Sequence, residues 1–75
     1  SMRPRKRSFA IKGHRTSISL EQPFWDALKE IADNRGVSLA TLGSEIDDRR
    51  GAAAGLSTSV RLYVLEILRA QARAQ

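Results

Sequence analysis

The chain has 75 residues, with 13 lysines and arginines against 8 acidic residues, a net charge of +5 and no cysteine. A chain of this length forms one domain at most, and such small domains usually depend on disulfides, a metal ion or oligomerisation. The lack of cysteine excludes disulfides and thiolate metal sites, so oligomerisation remains and we expect a homodimer. No metal and no cofactor are expected, because no metal-ligand spacing and no glycine-rich phosphate loop occur in the sequence. No apolar run approaches the roughly 20 residues of a membrane span and no secretory signal pattern is present, which predicts a cytoplasmic protein without a membrane partner.

The positive charge is concentrated at the start of the chain. Residues 1–20 hold six basic and no acidic residues, whereas residues 21–75 hold seven basic and eight acidic ones. Such an asymmetry is typical of a surface that binds nucleic acid, because neutralised phosphates release condensed counterions. A flexible, solvated basic arm over residues 1–7 is the alternative for the first of these charges. The residues expected to contact phosphates here are Arg3, Arg5, Lys6, Arg7, Lys12 and His14.

Alternating polar and apolar residues predict a strand over about 14–20. One face can enter a core, while the other is polar or cationic and suited to contacts with base edges. An ordinary half-exposed strand with a solvated polar face is the alternative. The first face carries Thr16, Ile18 and Leu20, and the second carries Arg15, Ser17 and Ser19.

No other segment reads clearly as a partner for this strand. An unpaired strand leaves backbone N–H and C=O groups unsatisfied, so we expect it to pair with a second copy in an antiparallel ribbon, an element that fits the DNA major groove. The residues from Ser8 to Ile11 are also strand-like, but their large apolar side chains fall on odd positions. A kink at Gly13 and a hairpin through Lys12-Gly13 both fit, and the kinked extension is favoured because Lys-Gly is a poor two-residue turn.

A first helix is predicted over about 23–35. Pro23 suits the first turn, and Gly36 suits the left-handed residue that ends a helix. Its apolar face consists of Phe24, Leu28, Ile31 and Ala32, with Trp25 at the edge.

A second helix is predicted over about 38–50, with Ser38 as its N-cap. The backbone N–H groups after Ser38 are suited to holding a phosphate. Residues 51–55, two glycines around three alanines, are expected to form a hinge.

A third helix is predicted over about 57–72, with Ser57 as its N-cap. Its apolar residues spread around most of the cylinder, so part of the cover is expected from a second protomer or from another protein bound at this C-terminal helix. The residues expected in the dimer core are Ile18, Leu20, Phe24, Trp25, Leu28, Ile31, Leu42, Ile46, Val64 and Ile67.

The order of strand, helix, glycine turn and serine-capped helix resembles a bacterial ribbon-helix-helix domain. The similarity is carried by the run from Gly13 to Ser17, by Leu20-Glu21 and by the pair Phe24-Trp25, and it covers roughly Lys6 to Leu68. The chain departs from the family pattern at Thr16, which stands at a usually apolar position, and in having a third helix.

This resemblance implies a mainly α-helical, intertwined homodimer with one strand per chain, in which an intermolecular two-stranded ribbon enters the major groove. It also implies base contacts from Arg15, Ser17 and Ser19, and a phosphate contact at Ser38 and Leu39. The expected function is sequence-specific binding of double-stranded DNA by a small transcriptional repressor or autoregulator. A dimeric adaptor or antitoxin, whose C-terminal helix docks a partner protein, is the alternative.

Catalysis is not expected of this chain. It has one histidine and no cysteine, and Asp47 and Asp48 are neighbours that point to different sides of a helix end. A nucleophile, a base and a residue that orients the base cannot be assembled from these groups.

Overall fold

The structure, a computed structural model, describes residues 2–49 and 55–75. A β-hairpin at the N-terminus packs one face against a layer of helices. The elements are β1 (Arg5–Ile11), β2 (His14–Leu20), α1 (Gln22–Arg35), α2 (Leu39–Arg49) and α3 (Leu56–Arg73). No helix in the described part of the chain is long and apolar enough to cross a membrane.

The strand predicted to lack a partner has one within the same chain. β1 and β2 pair antiparallel over their full length, from Arg5 opposite Leu20 to Ile11 opposite His14. The expectation of one strand per chain is therefore wrong, as is the preference for a kinked extension at Gly13. Because β1 begins at Arg5, the last residues of the predicted flexible arm, 5–7, are part of the sheet.

The turn that joins the strands is left-handed at both central residues. Lys12 has φ 52° and Gly13 has φ 79°, the signs of a type I′ turn, whose twist matches that of a hairpin. A lysine is unusual at such a φ, and contacts with α2 hold it there. Its backbone N–H donates to Ser44 Oγ at 3.3 Å, and its ammonium group pairs with Asp48 and, at 3.6 Å, with Asp47. Tertiary contacts thus compensate for the poor turn propensity of Lys-Gly.

The core lies between the hairpin and the helices. Inward-facing residues of both strands are buried with apolar residues of all three helices, and no polar or charged side chain among the described residues is buried. Gly43 allows β1 to lie close to α2, since a Cβ atom there would be 3.1 Å from Phe9 Cδ1. Phe9 also packs edge-on against Trp25, with 5.4 Å between the ring centroids. The fully buried side chains are Leu20, Leu28, Leu42, Val60 and Val64.

The helix ends follow local chemistry. Gly36, at φ 68°, ends α1, and the next N–H, that of Val37, donates to the carbonyl of Ala32 at 3.0 Å. Ser38 Oγ accepts the backbone N–H of Thr41 at 3.0 Å and caps α2, as predicted.

The start of α3 differs from the prediction. Gly55 is the N-cap and the helix begins at Leu56, so Ser57 lies in the first turn and is not the cap. The predicted hinge lies mostly outside the described residues, as does the predicted end of the second helix at position 50.

The exposed apolar residues of α3 are not the ones expected at an interface. Val64 is 2% exposed and is buried within a single chain, and Ile67 is half-buried against the same core. The residues that face outward are Leu62, Leu65 and Leu68, which are 60%, 48% and 47% exposed. An aspartate at Val64 would therefore bury an unpaired charge in the core of one chain and unfold it, whether or not the chain dimerises.

The turn geometry predicts how Gly13 responds to substitution. Gly13→Ala should lower the free energy of unfolding by about 1–2 kcal/mol, because an L-residue other than asparagine or aspartate is strained at positive φ. Gly13→Asn should cost clearly less, since asparagine tolerates the left-handed region. Urea unfolding of both variants measures the difference. Equal, small losses would contradict a left-handed turn and return the kinked strand to consideration.

Candidate nucleic-acid interface

The hairpin has an outer face directed away from the core. The register places Lys6 opposite Ser19, Ser8 opposite Ser17 and Ala10 opposite Arg15, and all of these residues are exposed. The outer face therefore consists of small or polar side chains and two cations, and the hairpin contains no acidic residue. Its members are Lys6, Ser8, Ala10, Arg15, Ser17 and Ser19.

Three of these residues were predicted from the sequence to face outward. Arg15, Ser17 and Ser19 do so, while Ile18 and Leu20 are buried and Thr16 is half-buried on the inner side. Arginine can bind guanine through two hydrogen bonds, and serine can donate to or accept from either kind of base pair. The outer face thus has the chemistry needed to contact base edges.

Arg15 is held by a contact across the hairpin. Its Nη1 donates to Ser8 Oγ at 3.0 Å, although Ser8 lies opposite Ser17 and is therefore a diagonal neighbour. Diagonal pairs are within reach of long side chains, and the small Ala10 opposite Arg15 leaves room for the guanidinium to lean across. The remaining N–H groups of the guanidinium stay available.

The second edge of β2 has no strand partner among the described residues. In an antiparallel pair the backbone groups point alternately towards and away from the partner, and a two-residue turn makes Ile11 and His14 a hydrogen-bonded pair. The N–H and C=O groups of Arg15, Ser17 and Ser19 therefore point to this free edge.

Arg61 of α3 lies at one end of the free edge. Its Nη2 donates to the carbonyl of Ser19 at 3.3 Å, and its Nε donates to Glu21 Oε1 at 2.9 Å. The pKa of Glu21 is lowered first by a hydrogen bond from its own backbone N–H and then by Arg61. The Arg61 guanidinium also lies 5.9 Å from the Phe24 ring centroid, so α1, α3 and the end of β2 meet there. No sequence pattern indicates this role for Arg61.

The predicted phosphate-contacting residues fall into different environments. Arg3, Arg5 and Lys6 are exposed at the start of the hairpin. Arg7 points inward, where its guanidinium lies 5.3 Å from the Trp25 ring centroid and donates to Gln22 Oε1 at 2.7 Å. The side chain of Arg7 is therefore engaged within the fold.

Lys12 lies in the turn, and His14 directly follows it. The pKa of Lys12 is raised, mainly by its hydrogen bond to Asp48 and by the charge of that carboxylate, so its positive charge is already partly balanced. His14 is exposed and lines a shallow groove with Lys12 and Asp47. Nearby carboxylates make this end of the hairpin less suited to a phosphate than the end that carries Lys6.

Ser38 and Leu39 lie at the N-terminus of α2. The Ser38 hydroxyl accepts the N–H of Thr41 and donates to Thr41 Oγ1 at 3.0 Å, while Leu39 is half-buried against the core. The Ser38 hydroxyl is thus already engaged in capping α2.

The residues expected in a dimer core all contribute to the core of a single chain. Seven are buried, and Phe24, Trp25 and Ile67 pack partly buried against them. Apolar periodicity locates core faces but does not say which chain covers them. The buried ones are Ile18, Leu20, Leu28, Ile31, Leu42, Ile46 and Val64.

A family comparison identifies this architecture. The model of the ribbon-helix-helix domain matches residues 4–68, most of the chain, and the chain belongs to that family. The match begins before β1, so both strands of the hairpin fall within it. Members are typically non-enzymatic, DNA-binding transcription regulators. Comparisons with curated proteins and with solved structures gave no match.

The chemistry of the described residues includes no metal-binding cluster. No group of three histidine, cysteine, aspartate or glutamate side chains lies together in residues 2–49 and 55–75.

The position of Arg7 predicts a loss of stability on its removal. Arg7→Ala should lower the free energy of unfolding by about 1 kcal/mol, because a partly desolvated cation–π contact with Trp25 is lost together with a hydrogen bond. Arg5→Ala, which removes an exposed arginine from the same strand, should change it by less than about 0.5 kcal/mol. Urea unfolding followed by circular dichroism and by the fluorescence of Trp25, the only tryptophan, measures both. Indistinguishable midpoints would mean that the Arg7 side chain is free in solution.

Proposed function

We propose that the protein binds double-stranded DNA sequence-specifically as a homodimer and acts as a small bacterial transcriptional repressor or autoregulator in the cytoplasm. The observation that carries the proposal is the outer face of the hairpin, which is polar and cationic, while the opposite face of the same hairpin is apolar and buried. The chain also belongs to the ribbon-helix-helix family. In this proposal Arg15, Ser17 and Ser19 contact bases in the major groove.

The homodimer is proposed to form along the free edge of β2. The backbone groups that point to the free edge belong to Arg15, Ser17 and Ser19, and Ser17 is the middle one. An antiparallel β2 strand of a second copy would therefore place Ser17 opposite Ser17 of that copy, and Arg15 opposite its Ser19. The two β2 strands would then be the intermolecular ribbon, with β1 flanking it on each side. This arrangement satisfies the edge groups that a single chain leaves open, and the carbonyl of Ser19, which accepts from Arg61, would accept a second hydrogen bond.

The width of such a sheet supports different roles for its strands. Adjacent strands lie about 4.8 Å apart, so the outer strands of a four-stranded sheet are about 14 Å apart. The major groove is about 12 Å wide, which admits the two central strands and brings the flanking strands to the phosphate walls. Arg3, Arg5 and Lys6 are accordingly proposed as phosphate contacts, together with the N-terminus of α2 at Ser38 and Leu39.

The main test of base reading compares the two cations of the outer face, Arg15 and Lys6. Arg15→Ala should reduce discrimination among duplexes by about 1–3 kcal/mol at one position of each half-site, because a bidentate contact between arginine and guanine is lost. Lys6→Ala should instead weaken all duplexes nearly equally and reduce the slope of log affinity against log salt by about 1 for each phosphate contact removed. Selecting a preferred site from a randomised duplex pool, then titrating it and its single-base variants at several salt concentrations, measures both effects. The same sequence-independent loss for both variants would refute base reading by Arg15.

The dimer is tested by proline at two positions that face each other in the hairpin. Neither Ser17 nor Ser8 uses its backbone N–H within the hairpin, but only that of Ser17 points to the free edge of β2. Ser17→Pro should therefore give a monomer by sedimentation equilibrium, and Ser8→Pro should remain a dimer whose unfolding midpoint rises with protein concentration. A dimer that survives both substitutions would refute pairing through β2. A monomeric parent protein would refute the homodimer itself.

A further inference from the structure

The contact between Ser8 and Arg15 lies on the outer face but joins residues of different strands. Only Arg15 belongs to the strand proposed to read bases, so Ser8 has no role in the function as stated above. The hydrogen bond of 3.0 Å nevertheless fixes where the arginine guanidinium points.

An exposed arginine samples many rotamers, and a productive contact with guanine requires one of them. Ordering a rotamer-rich side chain on binding costs free energy, and a contact that orders it beforehand removes part of that cost. The planar guanidinium also needs the correct orientation to donate two parallel hydrogen bonds. Anchoring one nitrogen therefore affects specificity as well as affinity.

The surroundings of Ser8 favour such a role. Ser8 and Ser17 form a non-hydrogen-bonded pair, in which side chains approach most closely, so the Ser8 hydroxyl stands near the middle of the outer face. Ala10 is too short to compete for the Arg15 side chain, and no acidic residue of the hairpin can draw it away. Of the three serine hydroxyls on this face, that of Ser8 is the one that accepts a hydrogen bond from Arg15.

We propose that Ser8 is a positioning residue, which orients the Arg15 guanidinium for contact with guanine without itself touching the DNA. The proposal rests on the DNA-binding function proposed above. It extends the specificity-determining set to β1 and assigns that strand a role beyond phosphate contact.

Threonine and valine at position 8 provide a matched pair, because both are β-branched, strand-favouring and nearly equal in size, and only threonine keeps the hydroxyl. Ser8→Thr should retain discrimination between the selected duplex and a variant in which the guanine contacted by Arg15 is replaced by another base. Ser8→Val should lower that discrimination about two- to tenfold. The salt slope and the unfolding midpoint should be alike in the two variants, because neither the charge nor the fold changes. Equal discrimination by the two variants would overturn the proposal.

A double-mutant cycle separates positioning from direct contact. In the Arg15→Ala background, Ser8→Val should have no further effect on discrimination, because Ser8 acts only through Arg15. An undiminished effect in that background would show that Ser8 contacts DNA itself, which overturns the positioning role. In the absence of DNA, the ¹⁵Nη resonances of Arg15 should shift in Ser8→Val and not in Ser8→Thr, because the hydrogen bond to position 8 is donated by Nη1.

The same measurements distinguish failure of this inference from failure of the proposed function. If the parent protein discriminates among duplexes and Ser8→Val does so equally well, only the inference fails. If the parent binds all duplexes alike, the proposed function fails and the inference with it.

Discussion

The register between β1 and β2 is the constraint on which the rest of the molecule depends. Side chains alternate along each strand, so a shift of one residue in the pairing would put Phe9 on the same face as Ser17 and leave Ile18 on the opposite face. The two-residue, left-handed turn at Lys12-Gly13 sets this register, and the contacts of Lys12 with Ser44, Asp47 and Asp48 join the turn to α2. Core packing, the outer face and the free edge of β2 are all consequences of that one alignment.

Much of the fold was accessible to sequence reasoning, because its signals are local. Alternation separated the two faces of β2, Gly36 gave the end of α1, and Ser38 gave the cap of α2. The sequence predicts Ser57 as the N-cap of α3, whereas in the structure the N-cap is Gly55, which has no side-chain cap. A serine near a helix start is therefore a weaker signal than a glycine near a helix end, since the left-handed conformation is required in the second case and a side-chain cap is optional in the first.

The strand partner was harder to predict, although the sequence contains its signature. Large apolar residues fall on odd positions in β1, at Phe9 and Ile11, and on even positions in β2, at Ile18 and Leu20. A two-residue hairpin pairs odd positions with even ones, so this change of parity is what places both apolar sets on one face. The same change fits a kink in one long strand. Turn propensity favours the kink, and this prediction is wrong because the contacts that hold Lys12 in the turn come from α2, more than 30 residues further along the chain.

Folding of the hairpin within one chain also changes what the charge pattern means. Of the six basic residues up to position 20, Arg7 packs on Trp25 and Lys12 is paired with carboxylates of α2, so neither is as available to phosphates as composition suggests. The cations on the outer face are Lys6 and Arg15, one on each strand. Lys6 lies near the open end of the hairpin, and Arg15 lies near the turn. Under the proposed dimer the arginines of β2 would lie near the centre and the lysines of β1 at the margins, which matches the division between base reading and phosphate contact. Net charge drives association with DNA in general, whereas the register decides which of these charges can read a sequence.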